Sequence, residues 1–383
     1  MNREIWQTEQ VREKLRMLTR LLPPWFTEHK RDLPWRDTGD PYDVWLSEIM
    51  LQQTRVEAVR GYFLRFREAL PDISSLAACP DERLLKLWEG LGYYSRVRNL
   101  KKCAQVLEAE YGGRLPADHG ALLKLPGIGP YTAGAIASIA FSLPVSAVDG
   151  NVLRVYARIA GDDSDIAMPE TKKNVEKALG EAIAKAAETA DGFDPGIFNQ
   201  ALMELGAIIC VPNGAPLCDS CPVREICAAF REGQIDKLPV KSGKKARRIE
   251  ERTIMLLQDG DRFLIKKRPP KGLLAGMYEF PSLEGYRSEA EVLAAVKEAG
   301  FDAVHIRKLP DAKHIFTHVE WHMRGYLIKL AAQNRTGDQL FVTKEETEEQ
   351  YAIPSAFSAY AKALQIEQGA DRVQQKRNDG DIL

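Results

Sequence analysis

The chain has 383 residues, enough for two domains at roughly 150 residues each. Apolar residues make up 45% of it and charged ones 28%, so a core can be buried and wholesale disorder is excluded. Lys plus Arg number 53 and Asp plus Glu 54, a net charge of −1, which rules out a uniformly basic nucleic-acid protein but not a local basic face. No apolar run reaches membrane-span length, and the charged opening MNREIWQTEQVREKL has no signal-peptide core. A cytoplasmic protein without a membrane segment is expected.

Residues 1 to about 230 read as nearly all helix. Val11, Leu15, Leu18 and Leu22 recur at helical spacing, as do Leu84, Leu87 and Trp88. Pro and Gly punctuate the stretch at Pro71, Pro80, Pro116, Gly127, Pro144, Pro169 and Pro195, which fits helices of about 10–14 residues. Cys79 and Cys103 fall inside helical patterns and read as buried core thiols. Residues 231–251 are polar and Lys/Arg-rich and read as a linker. Lys244, Lys245, Arg247 and Arg248 could touch phosphates there, although a solvated linker is the plainer reading.

From residue 252 the period changes to two. Thr253–Leu257 and Arg262–Lys266 read as a strand pair turning at Asp259-Gly260. Val319, Trp321 and Met323 alternate with Glu320, His322 and Arg324 as in a half-buried strand. Helical stretches at about 288–299 and 353–366 complete an α+β domain over 252–366, and 367–383 is a polar tail.

Four of six cysteines cluster: Cys210, Cys218, Cys221 and Cys227, spaced C-x7-C-x2-C-x5-C. Thiolates at this density in an intracellular chain point to a metal site more than to disulfides. A single CxxC flanked by lone cysteines favours one iron–sulfur loop over paired zinc knuckles, but spacing alone leaves both metals open.

Leu125-Pro-Gly-Ile-Gly-Pro-Tyr-Thr-Ala-Gly134 is a tight turn opening into an apolar helix. Gly127 and Gly129 there suit an anion site of backbone N–H groups, or an ordinary helix–turn–helix connection. Asp149 follows in Val148-Asp-Gly-Asn151, which also reads as a helix N-cap. Hairpin, Asp149 and four cysteines in this order resemble the helix-hairpin-helix DNA glycosylase superfamily, in particular its iron–sulfur branch with endonuclease III. The resemblance implies an all-α glycosylase domain over 1–230, with the helix-hairpin-helix at about 120–141. Gly127 and Gly129 would grip the DNA backbone, and Asp149 would face the sugar of a flipped nucleotide. The four cysteines would hold a [4Fe–4S] cluster in a loop over 210–227. Bifunctional members carry a Lys where this chain has Tyr131. A Lys amine forms a Schiff base with the sugar and a Tyr hydroxyl does not, so a monofunctional enzyme is expected.

Pro41-Tyr-Asp-Val-Trp-Leu-Ser-Glu48-Ile-Met-Leu-Gln-Gln-Thr54 is similar to the opening helix of adenine DNA glycosylases (the MutY family). On a helical wheel Glu48 lies between Val44 and Trp45, with Leu51 beside it. A carboxyl in such company should have a raised pKa and serve as a general acid. By analogy with glycosidases two carboxyls divide the labour: Glu48 protonates the adenine ring and then activates water, and Asp149 stabilises the cationic sugar. Tyr131 and Asn151 would position them. The resemblance further implies an adenine pocket of Leu33, Trp35, Arg36, Val56 and Gln200, the Gln amide offering a donor and an acceptor to the base. Gln53, Thr54, Leu91 and Tyr93 would lie near the opposite base, where an aromatic can wedge into the stack.

Gly272-Leu-Leu-Ala-Gly-Met-Tyr-Glu-Phe-Pro281 and His314-Ile-Phe-Thr-His-Val319 resemble the Nudix-like C-terminal domain of adenine glycosylases, which implies that Phe316, Thr317 and His318 sense 8-oxoguanine. The stretch Ser288–Glu298 lacks the Glu-rich R-E-x-x-E-E pattern that binds divalent metal in Nudix hydrolases, so recognition without hydrolysis is expected. His314, His318 and His322 are spaced for zinc only if helical, and read instead as turn plus strand. Three positions depart from the family: seven residues separate Cys210 from Cys218 where six are usual, Thr317 replaces Ser, and Tyr278 replaces Trp, the last expected to affect packing only. The expected activity is excision of adenine mispaired with 8-oxoguanine or guanine in base excision repair, by a monomer acting on double-stranded DNA. A bifunctional pyrimidine-damage glycosylase/lyase of the endonuclease III type and a non-catalytic DNA-binding or redox protein are the alternatives. A cationic face of the hairpin, Arg96, Arg98, Lys101, Lys102 and the linker is expected to meet the DNA.

Overall fold

A computed structural model describes residues 8–243, 246–331 and 339–368. Lys244, Lys245 and the tail from 369 lie outside the described residues. The chain divides into two compact units: Met1–Phe63, Asp72–Ala77 and Asn99–Lys244 form the first, and Leu64–Pro71, Ala78–Arg98 and Lys245–Leu383 the second. The second unit thus includes two stretches from the first half of the sequence, which periodicity along the chain does not reveal.

In chain order the helices of the first 231 residues are α1 (Glu9–His29), α2 (Pro41–Leu51), α3 (Val56–Ala69), α4 (Ile73–Ala78), α5 (Asp81–Leu87), α6 (Ser95–Tyr111), α7 (His119–Leu122), α8 (Pro130–Phe141), α9 (Gly150–Ala160), α10 (Pro169–Thr189), α11 (Pro195–Ile208) and α12 (Ala228–Arg231). The core of the first unit forms where α1 brings Val11, Leu15, Leu18 and Leu22 against Val152 and Tyr156 of α9 and Phe198, Leu202 and Leu205 of α11. These are the apolar positions expected from helical spacing. Leu22 is fully buried, and truncating such a leucine to alanine costs about 2–5 kcal/mol. Asp194 caps α11 by accepting from Gly196 and Ile197 N–H at 2.7 and 3.0 Å. At Gly206 a Cβ would stand 2.6 Å from Asn151 Cβ, so glycine lets α11 approach the start of α9.

The segment read as a linker is fastened over its first half. Leu238 is buried, Ile166 N–H donates to Val240 O at 3.0 Å, and Ser242 N–H donates to Asp165 at 3.2 Å. Its end is already strand, because β1 starts at Arg248. The polar composition hid both features.

The second unit carries a seven-stranded mixed sheet of β1 (Arg248–Asp259), β2 (Arg262–Lys267), β3 (Tyr278–Glu279), β4 (Ser282–Glu284), β5 (Ala303–Ile315), β6 (Val319–Leu330) and β7 (Leu340–Val342). The order is β3-β2-β1-β6-β5, with β4 on β1 and β7 on β2; β1 and β6 run parallel and the other pairs antiparallel. β1 and β2 turn at Asp259-Gly260, where Gly260 takes φ +62°. Trp321 and Met323 point into one core with Ile254, Phe263, Phe357 and Tyr360. On the opposite face Met255, Leu257 and Ile328 pack with Val292 and Val296 of α13 (Glu289–Glu298). A 3-10 turn at Ser355–Phe357 and α15 (Ser358–Ala363) fill the last expected helical stretch. Helix α14 (Lys344–Gln350) was not legible, because Thr347 is its only buried residue and no apolar stripe marks it.

Tyr278 does more than pack. Its hydroxyl donates to Glu82 at 2.9 Å, and its ring meets Tyr351 edge-on at 4.8 Å. A phenol oxygen reaches that carboxylate as a directed donor, so the expectation of a packing-only change is corrected. No helix among the described residues is long and apolar enough to cross a membrane.

Candidate active site

Helix α2 starts at Asp40, which accepts from Tyr42 N–H at 2.9 Å, with Pro41 in its first turn. Its apolar residues point to most sides, and Glu48 is buried among them at 7% exposure. The hairpin brings Tyr131 to it: the Tyr131 hydroxyl donates to Glu48 Oε2. Two glycines shape that hairpin differently. Gly127 has φ +77° and a Cβ there would lie 2.6 Å from Asn99 Cβ, so both conformation and space demand glycine. At Gly129, the N-cap of α8, φ is −94° and a Cβ would meet nothing within 4 Å. No side chain caps α8, so its N-terminus is open to an approaching anion.

Asp149 caps α9. One carboxylate oxygen accepts from Val152 N–H at 2.8 Å and the other from Asn151 Nδ2 at 2.8 Å. The cap and the site reading coincide in one residue, because Asp149 and Asn151 line the same cavity of about 640 Å³ as Glu48 and Tyr131. Leu33, Trp35, Arg36, Val56 and Gln200 line it as well, together with Gln53, Thr54, Gly127 and Gly129. The structure therefore gathers these thirteen expected residues.

The carboxyls of this cavity are held in different states. Burial pushes Glu48 up to about 7; the Tyr131 hydrogen bond opposes this, Asp149 adds to it, and Arg36 opposes it. Burial also raises Asp149, against the Val152 and Asn151 donors and Arg154. Glu204 behaves in the opposite way. Burial alone would raise it, yet hydrogen bonds from Arg31 and Arg36 hold it down to about 2. An acid able to keep a proton near neutrality thus shares a pocket with a fixed carboxylate.

The four clustered cysteines also come together. Cys210, Cys218, Cys221 and Cys227 line one apolar pocket with Arg158, whose Nη1 lies 3.2 Å from Cys210 Sγ. No three His, Cys, Asp or Glu side chains among the described residues are placed to hold a single metal ion. Burial pushes the Cys221 thiol up to about 12, so metal binding there must displace a proton. The long first gap is absorbed in a loop that Leu217 N–H closes on Ile209 O at 3.0 Å, with Gly214 at φ +76°. Cys79 and Cys103 are buried core thiols.

Residues 46–185 match the HhH-GPD superfamily of base excision DNA repair proteins, and residues 253–363 match the NUDIX domain. The adenine DNA glycosylase of Homo sapiens is 33% identical over 405 residues, spanning 90% of this chain and 73% of that protein. The chain belongs to the adenine DNA glycosylase family. The adenine DNA glycosylase of Buchnera aphidicola subsp. Schizaphis graminum is 32% identical over 316 residues, 82% of this chain and 88% of that one. A thermostable thymine-DNA glycosylase structure aligns with 57% of the chain and 98% of its own length, at 27% identity and a TM-score of 0.50. As a member of this family the chain is an enzyme, a DNA glycosylase that hydrolyses N-glycosyl bonds.

The glycosylase carries the remaining expected residues in its second unit. Phe316, Thr317 and His318 form the turn between β5 and β6, closed by Phe316 N–H to Val319 O at 2.8 Å. Thr317 Oγ1 and Tyr93 Oη lie 3.5 Å apart. Tyr93 is 45% exposed with φ +48°, whereas Leu91 is buried. His314 sits on β5 against the Phe316 ring at 4.5 Å, and His322 on β6 bonds Glu320 at 2.7 Å, so the three histidines follow turn and strand. Arg96 is not on a cationic face. It is buried over Trp88 and Tyr93 and donates to Leu91 O and Gly92 O at 3.2 and 3.1 Å, propping the turn that carries Tyr93. Arg98 is likewise engaged, with Ala275 O at 2.8 Å.

Sequence reasoning missed Arg31, Met203 and Glu204, which also line the glycosylase cavity. Glu204 follows Gln200 by one helical turn, a spacing that could have pointed to it.

Proposed function

We propose that the enzyme excises adenine standing opposite 8-oxoguanine in double-stranded DNA, by acid-assisted hydrolysis and without cutting the backbone. The observation that carries this reading is the buried Glu48 carboxyl, bonded by Tyr131 in the cavity that Asp149 lines. Neutral adenine is a poor leaving group. Glu48 protonates a ring nitrogen, the glycosidic bond breaks, and the resulting carboxylate takes a proton from the attacking water. Asp149, oriented by Val152 N–H and Asn151, stabilises the positive charge that develops on the sugar. Tyr131 fixes the Glu48 carboxyl and has no amine to form a Schiff base, which fits a monofunctional reaction.

The flipped base lodges against Leu33, Trp35, Arg36 and Val56. Gln200 donates to Gly196 O at 3.3 Å, which keeps its second N–H and its oxygen for the edge of the adenine. Gly127 and Gly129 take a phosphate; Gln53, Thr54, Leu91 and Tyr93 serve the opposite base; and Phe316, Thr317 and His318 sense its oxidised form. The C-terminal domain recognises and does not hydrolyse, since α13 has no R-E-x-x-E-E series.

Cys210, Cys218, Cys221 and Cys227 would hold a [4Fe–4S] cluster. Four thiols that line one apolar pocket are a donor set that suits an iron–sulfur centre. When bound there, such a cluster would cross-link four chain positions and so hold the 210–227 loop.

Single-turnover excision on a duplex with adenine opposite 8-oxoguanine tests the reading. Glu48→Gln and Asp149→Asn should each lower the rate by about a hundredfold or more, and strands should break only after alkali. Wild-type rates in either variant, or cleavage without alkali, would overturn it.

A further inference from the structure

Glu204 sits on α11 at 1% exposure, yet it meets two cations from a loop 173 residues away. Its Oε1 accepts from Arg31 Nε and its Oε2 from Arg31 Nη2, both at 2.8 Å, while Arg36 Nη2 reaches Oε2 at 2.7 Å. Arg31 N–H adds a bond to Oε1 at 3.0 Å, and Arg36 Nη1 ties back to Arg31 O at 2.9 Å. Between these arginines lie Leu33 and Trp35, and all five residues line the cavity. A buried carboxylate satisfied by two guanidiniums is costly to disturb, since removing one partner strands the others.

We propose that Glu204 is a positioning residue for the excision reaction: its carboxylate clamps the wall formed by Leu33 and Trp35 and neutralises Arg31 and Arg36 beside the acid Glu48. The inference rests on the reading of Glu48 as the proton donor. The titratable and charged groups that line the cavity with Glu48 are Tyr131 from α8, Asp149 at the start of α9, Arg31 and Arg36 from the clamped loop, Lys172 from α10 and Glu204 from α11, and of these Tyr131, Asp149 and Arg36 act on Glu48. Arg36 already favours the ionised form of Glu48, and only the Glu204 charge offsets it from within the same ion pair. Without that offset the Arg36 charge would weigh more heavily on Glu48 and shift it toward the carboxylate, which has no proton to donate.

The test is the pH–rate profile of single-turnover excision on the full chain. Glu204→Gln should move the alkaline limb down by about one pH unit, a further tenfold rate loss at the alkaline end relative to the acid end. Glu204→Asp, which keeps the charge, should restore the limb. Should Glu204→Gln fail to fold, Glu204→Gln with Arg36→Gln removes one charge of each sign, and its limb should return close to wild type. An unmoved limb in a folded Glu204→Gln, or a displaced limb in the double variant, overturns the inference. Glu48→Gln separates the two levels: if it abolishes excision while Glu204→Gln leaves the limb in place, only the Glu204 role falls. If Glu48→Gln keeps wild-type excision, the underlying reading falls with it.

Discussion

The Tyr131 hydroxyl donates to the Glu48 carboxylate from a different helix, 83 residues away in sequence. The bond favours the ionised acid, while burial of the same carboxyl favours the protonated one and outweighs it. The glycosylase therefore holds its acid near the middle of the physiological range, where a general acid is most useful.

Tyr131→Phe removes the opposing donor. The alkaline limb of the excision profile should move to higher pH, and the optimal rate should fall by about tenfold as the carboxyl loses its anchor. A limb shifted toward acid would contradict the assignment of this bond.

Glu48 also makes a prediction about stability. Its carboxyl binds a proton more tightly in the folded protein, at about 7, than in an unfolded chain, at 4.5. Folding therefore loses stability as pH rises between those values, by about 1.4 kcal/mol per pH unit. Glu48→Gln should gain on the order of 3 kcal/mol near pH ~8 and nothing near pH ~4, read as melting temperatures. Equal melting temperatures at the alkaline end would speak against a buried, perturbed acid.

The two hairpin glycines should respond differently. Gly127→Ala forces a Cβ onto Asn99 at a left-handed φ and should cost about 1–3 kcal/mol of stability. Gly129→Ala meets no neighbour and should melt like wild type, but its methyl stands at the uncapped end of α8 and should weaken duplex binding several-fold. Unchanged affinity in folded Gly129→Ala would remove the phosphate role from this turn.

Much of this site was legible in the sequence because its signals are local. The apolar run from Val44 to Leu51 is enough to bury Glu48, and Asp-Gly-Asn is enough to place Asp149 at a helix cap. What failed was long-range. Nothing along the chain links Glu204 to its partners Arg31 and Arg36, which lie in a loop far from α11 in sequence. Arg96 sits in the basic stretch Ser95–Lys102 and looks solvated, yet Trp88 and Tyr93 bury it. The polar α14 shows no apolar period, since one residue suffices to anchor it.

The cysteine loop makes a spectroscopic prediction. Protein purified without air should show a broad absorbance near ~400 nm from iron–thiolate charge transfer, and Cys221→Ser should diminish it. A colourless, zinc-loaded protein would contradict the cluster assignment.

Whether a protonated Glu48 starts the reaction is read from the pH dependence of single-turnover excision by the wild-type enzyme. Because burial sets the acid at about 7 and Asp149 above its ordinary value, the rate should fall tenfold per unit above about pH 7 and should also decline at the acid end as Asp149 takes up a proton. A rate that stays level from about pH 6 to about pH 9 would show that no group with this pKa delivers the proton.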